Sequence, residues 1–346
     1  MPNTLPQAIS NVEELDELLS RPTSSAVETI RRISGDVVVL GVGGKMGPTL
    51  ARMLRRAADA AGTPRRIIGV ARFSNPELPK LLTACGVETI AADLLDPRQL
   101  TQLPEAPNVI YMPALKFGAS GQAGRTWAIN SFLPGLVCQR YPQARIVAFS
   151  TGNVYGLVPV DSGGSRESDE LRPVGEYAMS CLGRERVFDY FSREAGTRVA
   201  LERLYYATEM RYGVLRDIAE KVAKSEAVDV SMGHINCIWQ GDANARTIQL
   251  LEHTQSPAYA VNVSGPWLLK VREVAEQFGE LLGKRPVITG QEAGDALVCN
   301  ATRSLELFGR PGVEIETLLR WTADWVRRGG ESVNKPTHFE ERGGKY

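Results

Sequence analysis

The sequence is poor in the residues that build metal centres. It has three histidines, His234, His253 and His338, and five cysteines, no two of them in a CxxC pair. Zinc sites draw on closely spaced Cys and His, so no metal is expected. The cysteines, Cys85, Cys138, Cys181, Cys237 and Cys299, are scattered and odd in number, which argues against a disulfide framework. Neither sign of charge is in excess, because Lys plus Arg and Asp plus Glu each number 40. A nucleic-acid partner usually demands a basic excess or stripe, so none is expected. No apolar run approaches the roughly 18 residues of a membrane span. The N-terminus lacks the basic and apolar segments of a secretory leader. Internal repeats and low-complexity tracts are missing as well. These absences point to a cytoplasmic, soluble protein with no membrane partner that handles a small molecule.

What is present is a glycine cluster at the end of an apolar run. Val37-Val-Val-Leu40 leads into Gly41-Val-Gly43-Gly44-Lys45-Met46-Gly47-Pro48, and an amphipathic segment follows with Leu50, Met53, Leu54 and Ala57 on one side. This pattern predicts a strand, a tight turn and a helix, the opening of a dinucleotide-binding βαβ unit. Glycine suits such a turn because some positions need unusual backbone angles and others must let a pyrophosphate approach the backbone. The helix N-terminus would offer free N–H groups and the positive end of its dipole to the phosphates.

The rest of the chain organises around this unit. At 346 residues it can bury a full core. Strands are expected at Val37–Leu40, Ile67–Ala71, Glu88–Ala91, Val109–Met112, Ile146–Ser150 and Arg198–Leu201, with helical patterns between them. Their largely apolar character on both faces is that of buried parallel strands. The fold class is therefore α/β, a Rossmann-type doubly wound parallel sheet with a smaller C-terminal substrate-binding region. The expected division has a helical extension over 1–34, a dinucleotide-binding domain over 35–205, a substrate region over 206–330 and a tail over 331–346. Helices are expected over 212–224, 242–253, 271–283 and 314–328, with late strands at Ala258–Val263 and Pro286–Ile288, some returning to the sheet. Asn11 with Glu14 and Ser25 with Glu28 suggest capping boxes in the extension, and Asp242 suggests a helix cap.

Beyond the turn, several residues invite chemistry. The tip of the second strand carries Arg72 where NAD enzymes usually place an acid for the ribose hydroxyls. A guanidinium there can pair with a 2′-phosphate, so NADP is favoured over NAD. Asp93-Leu94 follows the third strand, where the carboxylate either accepts a bond from an adenine amino group or caps a turn. The fifth strand runs through Ser150-Thr151-Gly-Asn-Val-Tyr155-Gly156, and Pro173-Val-Gly-Glu-Tyr177-Ala-Met-Ser-Cys181-Leu-Gly-Arg184 lies further on.

Taken together, these motifs resemble the extended short-chain dehydrogenase/reductase family, the NAD(P)-dependent sugar epimerases and dehydratases. The glycines Gly41, Gly44 and Gly47 have the extended-family spacing. Thr151 precedes Tyr177 at the separation the family keeps between its hydroxyl and its tyrosine. Asn130 stands where the family has a structural asparagine, and Ala114-Leu-Lys116 follows the fourth strand as in an epimerase of this family. Val261-Asn-Val-Ser-Gly265 looks like the family's late strand. The resemblance implies a cofactor set of Gly41, Gly43, Gly44, Lys45, Met46, Gly47, Arg72, Asp93, Leu94, Met112, Pro113, Ala114, Lys116 and Tyr177. It implies Tyr177 as general acid/base and Thr151 as the group that orients the substrate oxygen. The family's lysine, four residues after the tyrosine, is Cys181 here. A tyrosine has a pKa near ~10 and is a poor base without a cation beside it, so Lys116 or Arg184 must substitute, or the protein binds its cofactor without turnover. Glu167, Arg203, His234 and Asn236 are candidate substrate contacts, with Glu209, Arg211 and Trp239 near them, and a structural role competes for each. The resemblance also implies a homodimer through the helices at about 124–140 and 176–193.

Overall fold

A computed structural model describes residues 5–116 and 121–344 of the chain. The first four residues of the expected N-terminal extension and the last two of the expected tail lie outside the described residues. The centre is a seven-stranded sheet. Its strands are β1 (Val37–Leu40), β2 (Ile67–Ala71), β3 (Glu88–Ala91), β4 (Asn108–Tyr111), β5 (Arg145–Thr151), β6 (Arg198–Leu204) and β7 (Tyr259–Val263). All pairings are parallel and the order is β3-β2-β1-β4-β5-β6-β7. The strand order reverses between β1 and β4, the place where an open α/β sheet leaves a crevice beyond its carboxyl ends.

The helices are α1 (Val12–Leu19), α2 (Ser24–Arg32), α3 (Gly47–Ala61), α4 (Glu77–Ala84), α5 (Pro97–Thr101), α6 (Ala123–Trp127), α7 (Leu133–Arg140), α8 (Gly175–Ala195), α9 (Val214–Ala223), α10 (Gln240–Leu250), α11 (Val271–Leu282), α12 (Thr302–Phe308) and α13 (Ile315–Arg327). Every side chain of β1 is buried. Val37 and Val39 pack with α2, α3 and α10, while Val38 and Leu40 pack with α7 and α8. That two-sided burial explains the unbroken Val-Val-Val-Leu run. A separate apolar core joins α1, α9, α11 and α13 around Trp239 and Trp321, whose rings meet edge to face at 5.6 Å.

Three local expectations need correction. Thr23, not Ser25, caps α2, accepting from the Ala26 amide at 3.1 Å, while Glu28 turns to Arg31. Asp242 is not a cap: it lies inside the first turn of α10 and accepts from the Val313 amide at 3.1 Å. The strand expected at Pro286–Ile288 is Val287–Thr289, and it pairs with Ala227–Asp229 outside the main sheet.

Candidate active site

The glycines of the turn serve different masters. Gly41 has φ +81, and Gly47 lies so close beneath the turn that an added Cβ would stand 2.3 Å from the Val42 carbonyl oxygen. The fold itself demands these two. At Gly44 an added Cβ would meet only the Gly41 oxygen, at an ordinary 3.5 Å. Nothing in the protein forbids a side chain there, so the glycine keeps the floor of the crevice bare for something else. Pro48 sits in the first turn of α3, and no side chain caps that end. The open N–H groups and dipole of the helix therefore face the crevice. These features fit a dinucleotide pyrophosphate.

Two cavities run along the crevice and share Gly41, Gly43, Gly44, Met112 and Ala114. The first, about 320 Å³, is lined by Arg72, Asp93, Leu94, Pro113 and Arg125. Asp93 also closes a turn by accepting from the Leu95 amide at 3.0 Å. The second, about 500 Å³, is lined by Lys45, Met46, Lys116, Thr151, Tyr177 and Arg184 among others.

The chemistry gathers where β5 ends beside the first turn of α8. Thr151 closes β5, and Tyr177 and Cys181 lie one turn apart on α8. Thr151 and Cys181 both lie close enough to the Tyr177 hydroxyl to influence its ionisation. Burial holds the Tyr177 hydroxyl well above its usual range, and the neighbouring thiol adds to this; Arg184 and the Thr151 hydroxyl pull the other way. Burial also raises the Cys181 thiol. A neutral tyrosine hydroxyl is thus the resting form. The Lys116 ammonium stands 5.9 Å from the centroid of the Tyr177 ring. Burial brings its pKa down to about 8, with Cys181 and Asp217 supporting the charge.

Arg184 is placed differently. It donates to the Phe149 carbonyl at 2.7 Å and to the Asn130 side-chain oxygen at 3.0 Å. Asn130 sits in a π-turn, Ala128–Phe132, between α6 and α7, and its side chain also holds Leu115 and Ser180. Irregular turns of this kind recur at functional sites. Here it connects the segment before Lys116 to the helix that carries Tyr177. Lys45 lies over the ring of Tyr212, 3.1 Å from its centroid, and burial brings its pKa to about 7, with Lys116 and Lys335 opposing the charge further.

The four expected substrate contacts are not among the residues lining the cavity. Glu167 accepts from the Asn262 amide at 2.8 Å and so clamps a loop to β7. Arg203 makes a buried two-pronged pair with Glu185, at 2.6 and 2.9 Å, and donates to the Tyr155 hydroxyl. Asn236 bridges the Trp267 carbonyl and the Cys299 amide. His234 pairs through its backbone in a short ladder with Lys270. Glu209 and Arg211 bond to each other, and Arg211 also reaches Asp16 of α1. Apart from His234, whose Nδ1 is buried without a hydrogen-bond partner, each of these polar side chains has found a partner within the fold. In their place the cavity is lined by Tyr205, Tyr206, Tyr212, Gln240, Lys335 and Thr337. Lys335 and Thr337 lie in a tail with no periodic pattern, so no signal in the sequence pointed to them.

Among the described residues no group of three or more His, Cys, Asp and Glu could hold a metal ion. Among the described residues no helix is long and apolar enough to cross a membrane.

Comparison with known proteins extends this picture. Solved structures of similar shape include a UDP-glucose 4-epimerase of Thermotoga maritima with UDP-glucose, at 17% identity and a TM-score of 0.68, covering 85% of this chain and 99% of that one. A dTDP-glucose 4,6-dehydratase of Bacillus anthracis in complex with NAD matches at 16% identity and 0.72, covering 85% and 97%. A UDP-glucuronic acid 4-epimerase of Bacillus cereus, with UDP-glucuronic acid and NAD, matches at 14% identity and 0.68, covering 85% and 99%. No curated protein matches. At these identities the likeness is one of fold. The sequence itself matches the family described as NAD dependent epimerase/dehydratase over residues 37–208, a span that holds the glycine turn, Thr151, Tyr177 and Cys181, and through it the chain belongs to that family.

Proposed function

We propose that the chain is an NAD(P)-dependent enzyme acting on a hydroxyl of a sugar or sugar derivative, as an oxidoreductase, epimerase or dehydratase, with Tyr177 as its acid/base. The observation that carries this reading is that Thr151 and Tyr177, with Cys181 one turn along the same helix, stand at the end of a crevice floored by a bare glycine turn. The relatives above, with their bound NAD and sugar nucleotides, support it. A bound nicotinamide would supply the hydride acceptor or donor. The residues Gly41, Gly43, Gly44, Lys45, Met46, Met112 and Lys116 would hold its half of the cofactor, and Arg72, Asp93, Leu94, Pro113 and Ala114 the adenosine half.

Thr151 orients the substrate oxygen, and Tyr177 exchanges the proton with it. Because Tyr177 rests as a neutral hydroxyl, it serves readily as a proton donor at neutral pH. Proton abstraction, the reverse role, needs the phenolate and so accelerates as pH rises. Lys116 supplies the positive charge that Cys181 cannot. Arg72 at the tip of β2 favours NADP. A homodimer is part of the proposal. α7 and α8 pack together inside one chain, with Gly135 against Val187 and Phe191, and Phe132, at the end of the π-turn before α7, and Tyr190 on α8 are 60% and 61% exposed. A two-fold pairing would cover them, and a monomer in light scattering at micromolar concentration would exclude it.

The function is tested by mixing the protein with NAD and NADP and a panel of sugars, sugar acids and sugar phosphates, following the reduced nicotinamide for net oxidation and the sugar itself by mass spectrometry and NMR for epimerisation or dehydration, in which the hydride returns to the substrate. Turnover is expected, and Tyr177→Phe should lower it by roughly 10²–10⁴-fold while cofactor binding persists. Full activity in that variant would sink the tyrosine mechanism. Tight cofactor binding with no turnover in any arm would favour a non-catalytic binding protein.

A further inference from the structure

The tail after α13 crosses the second cavity as a strap held at both ends. On the near side the Arg216 guanidinium donates to the Gly330 and Glu331 carbonyls, each at 3.3 Å, and the Val333 amide donates to the Arg211 carbonyl at 3.0 Å. On the far side Phe339 is buried in the core around Trp321. Arg342 donates to the Ser231 carbonyl at 3.2 Å and to the Asp295 carbonyl at 3.0 Å. Gly344 lies so close to the start of α8 that a Cβ added to Gly175 would stand 2.3 Å from the Gly344 oxygen. An ordinary chain end is poorly ordered because nothing ties it down. This one crosses the cavity and is packed again beyond it.

Between the two anchors the strap is bare. Asn334, Lys335, Pro336 and His338 are exposed, and Thr337 alone turns inward and is buried. Lys335 and Thr337 line the same cavity as Gly44, Thr151 and Tyr177. The span is fastened there by Asp217 of α9, one carboxylate oxygen of which accepts from both the amide and the hydroxyl of Thr337, at 2.7 and 2.6 Å. Asn334 and His338 have left-handed backbones, with φ 51° and 54°. That conformation costs energy in a residue with a side chain, and it persists where the surroundings impose it. These two turns stand just inside the anchors, one at each end of the three residues that meet the cavity. Rotation at both would swing Lys335–Thr337 outward while Val333 and Phe339 stay in place. An exposed span with one buried side chain has little packing to lose on opening.

We propose that the segment from Asn334 to His338 is a lid over the second cavity, latched shut by Thr337 on Asp217, and that substrate and product pass beneath it when the latch opens. The proposal rests on the functional reading above, since it concerns entry to the same cavity. Asp217 and Thr337 act as positioning residues. They hold the lid and take no part in the chemistry.

The test is hydrogen exchange followed residue by residue by NMR on the whole chain, free and with saturating NAD or NADP. In the free protein the Thr337 amide should be about tenfold or more less protected than the amides of β1, and its exchange should ignore low concentrations of urea, the mark of a local opening. The Glu341 amide, which donates to the His338 carbonyl beyond the span, should be better protected than that of Thr337. Thr337→Val keeps the shape and the amide donor but removes the hydroxyl. It should speed exchange at position 337 about tenfold, the loss of one charge-assisted hydrogen bond, and leave the β1 amides unchanged. Thr337→Ser should keep the wild-type rate. A dinucleotide filling the cavity favours the closed lid and should slow exchange at position 337. Four results would overturn the proposal. Thr337 exchanges only as slowly as β1, which means a fixed wall. Glu341 exchanges at least as fast as Thr337, which means a fraying end. Thr337→Val leaves the rate unchanged. A dinucleotide binds without slowing exchange at position 337. Failure of the functional reading looks different: the lid opens in the free protein, but neither dinucleotide binds.

Discussion

The glycine turn and the corner around Tyr177 face each other across one crevice, yet they are made in different ways. The turn is a single stretch, residues 41–47, whose shape follows from its own glycines and the strand and helix at its ends. The corner draws Thr151 from β5, Tyr177 and Cys181 from α8, Lys116 from beyond β4 and Lys335 from the tail. A locally encoded site needs only the right residues in order. A convergent one needs a support that holds distant segments in register, and here that support is a buried polar frame. Asn130 and Arg184 tie α8 to the segment before Lys116, and Glu185 and Arg203 tie α8 to β6 and Tyr155. The difference teaches where each region is vulnerable.

The sharpest way to break the comparison lies within the turn itself. Gly47→Val places a side chain where an added Cβ already stands 2.3 Å from backbone, so the folded protein should be lost. Gly44→Val has room in the protein, so the fold should survive while cofactor affinity falls about 10- to 100-fold, an overpacking cost of about 1–3 kcal/mol. Circular dichroism and calorimetry on the pair decide. A folded Gly44→Val that binds cofactor normally would show that the turn does not receive a pyrophosphate.

The corner should fail through its frame. Arg203→Met leaves the Glu185 carboxylate buried without its main partner, since the two side chains are only 6% and 4% exposed. The expected loss is about 3–5 kcal/mol, read by urea denaturation. A change below about 1 kcal/mol would mean that the frame does not support the corner.

A smaller effect sharpens the chemistry. The Tyr177 pKa lies above its ordinary value, so the base-dependent rate should climb with pH into the alkaline range. Cys181→Lys adds a cation beside the hydroxyl, favours the phenolate and should move that climb down by about one unit, worth about 1.4 kcal/mol. Lys116→Met should move it up. Profiles that do not move in either variant would remove both lysine positions from the mechanism.

The smallest expected effect is at the far end of the crevice. Arg72→Ala should cost NADP about tenfold in affinity, one exposed charge-assisted contact, and leave NAD unchanged. Equal losses for both cofactors, or a wild type that prefers NAD, would withdraw the role given to Arg72.

Much of the architecture could be read in the chain because it rests on short-range rules. The buried parallel strands announce themselves as apolar runs, and β1 and β2 begin and end where those runs do. The glycine turn carries its own geometry. The error at Asp242 has a different origin. A carboxylate near a helix start reads as a cap, but tertiary packing brought the Val313 amide to it instead. Glu167, Arg203 and Asn236 were misleading for the same reason. A polar residue in a cleft-facing segment looks available until the fold supplies it with a partner.

Sequence alone therefore determined the sheet and the turn, because each depends on side-chain period or glycine backbone freedom. Only the tertiary structure decided what stands beside Tyr177 and what closes the cavity. Lys116 reaches the tyrosine ring through the Asn130 frame, and Lys335 arrives on a strap pinned to Arg211 and Asp217. Electrostatic and steric effects act through space across contacts between residues far apart in the chain. No local pattern records them.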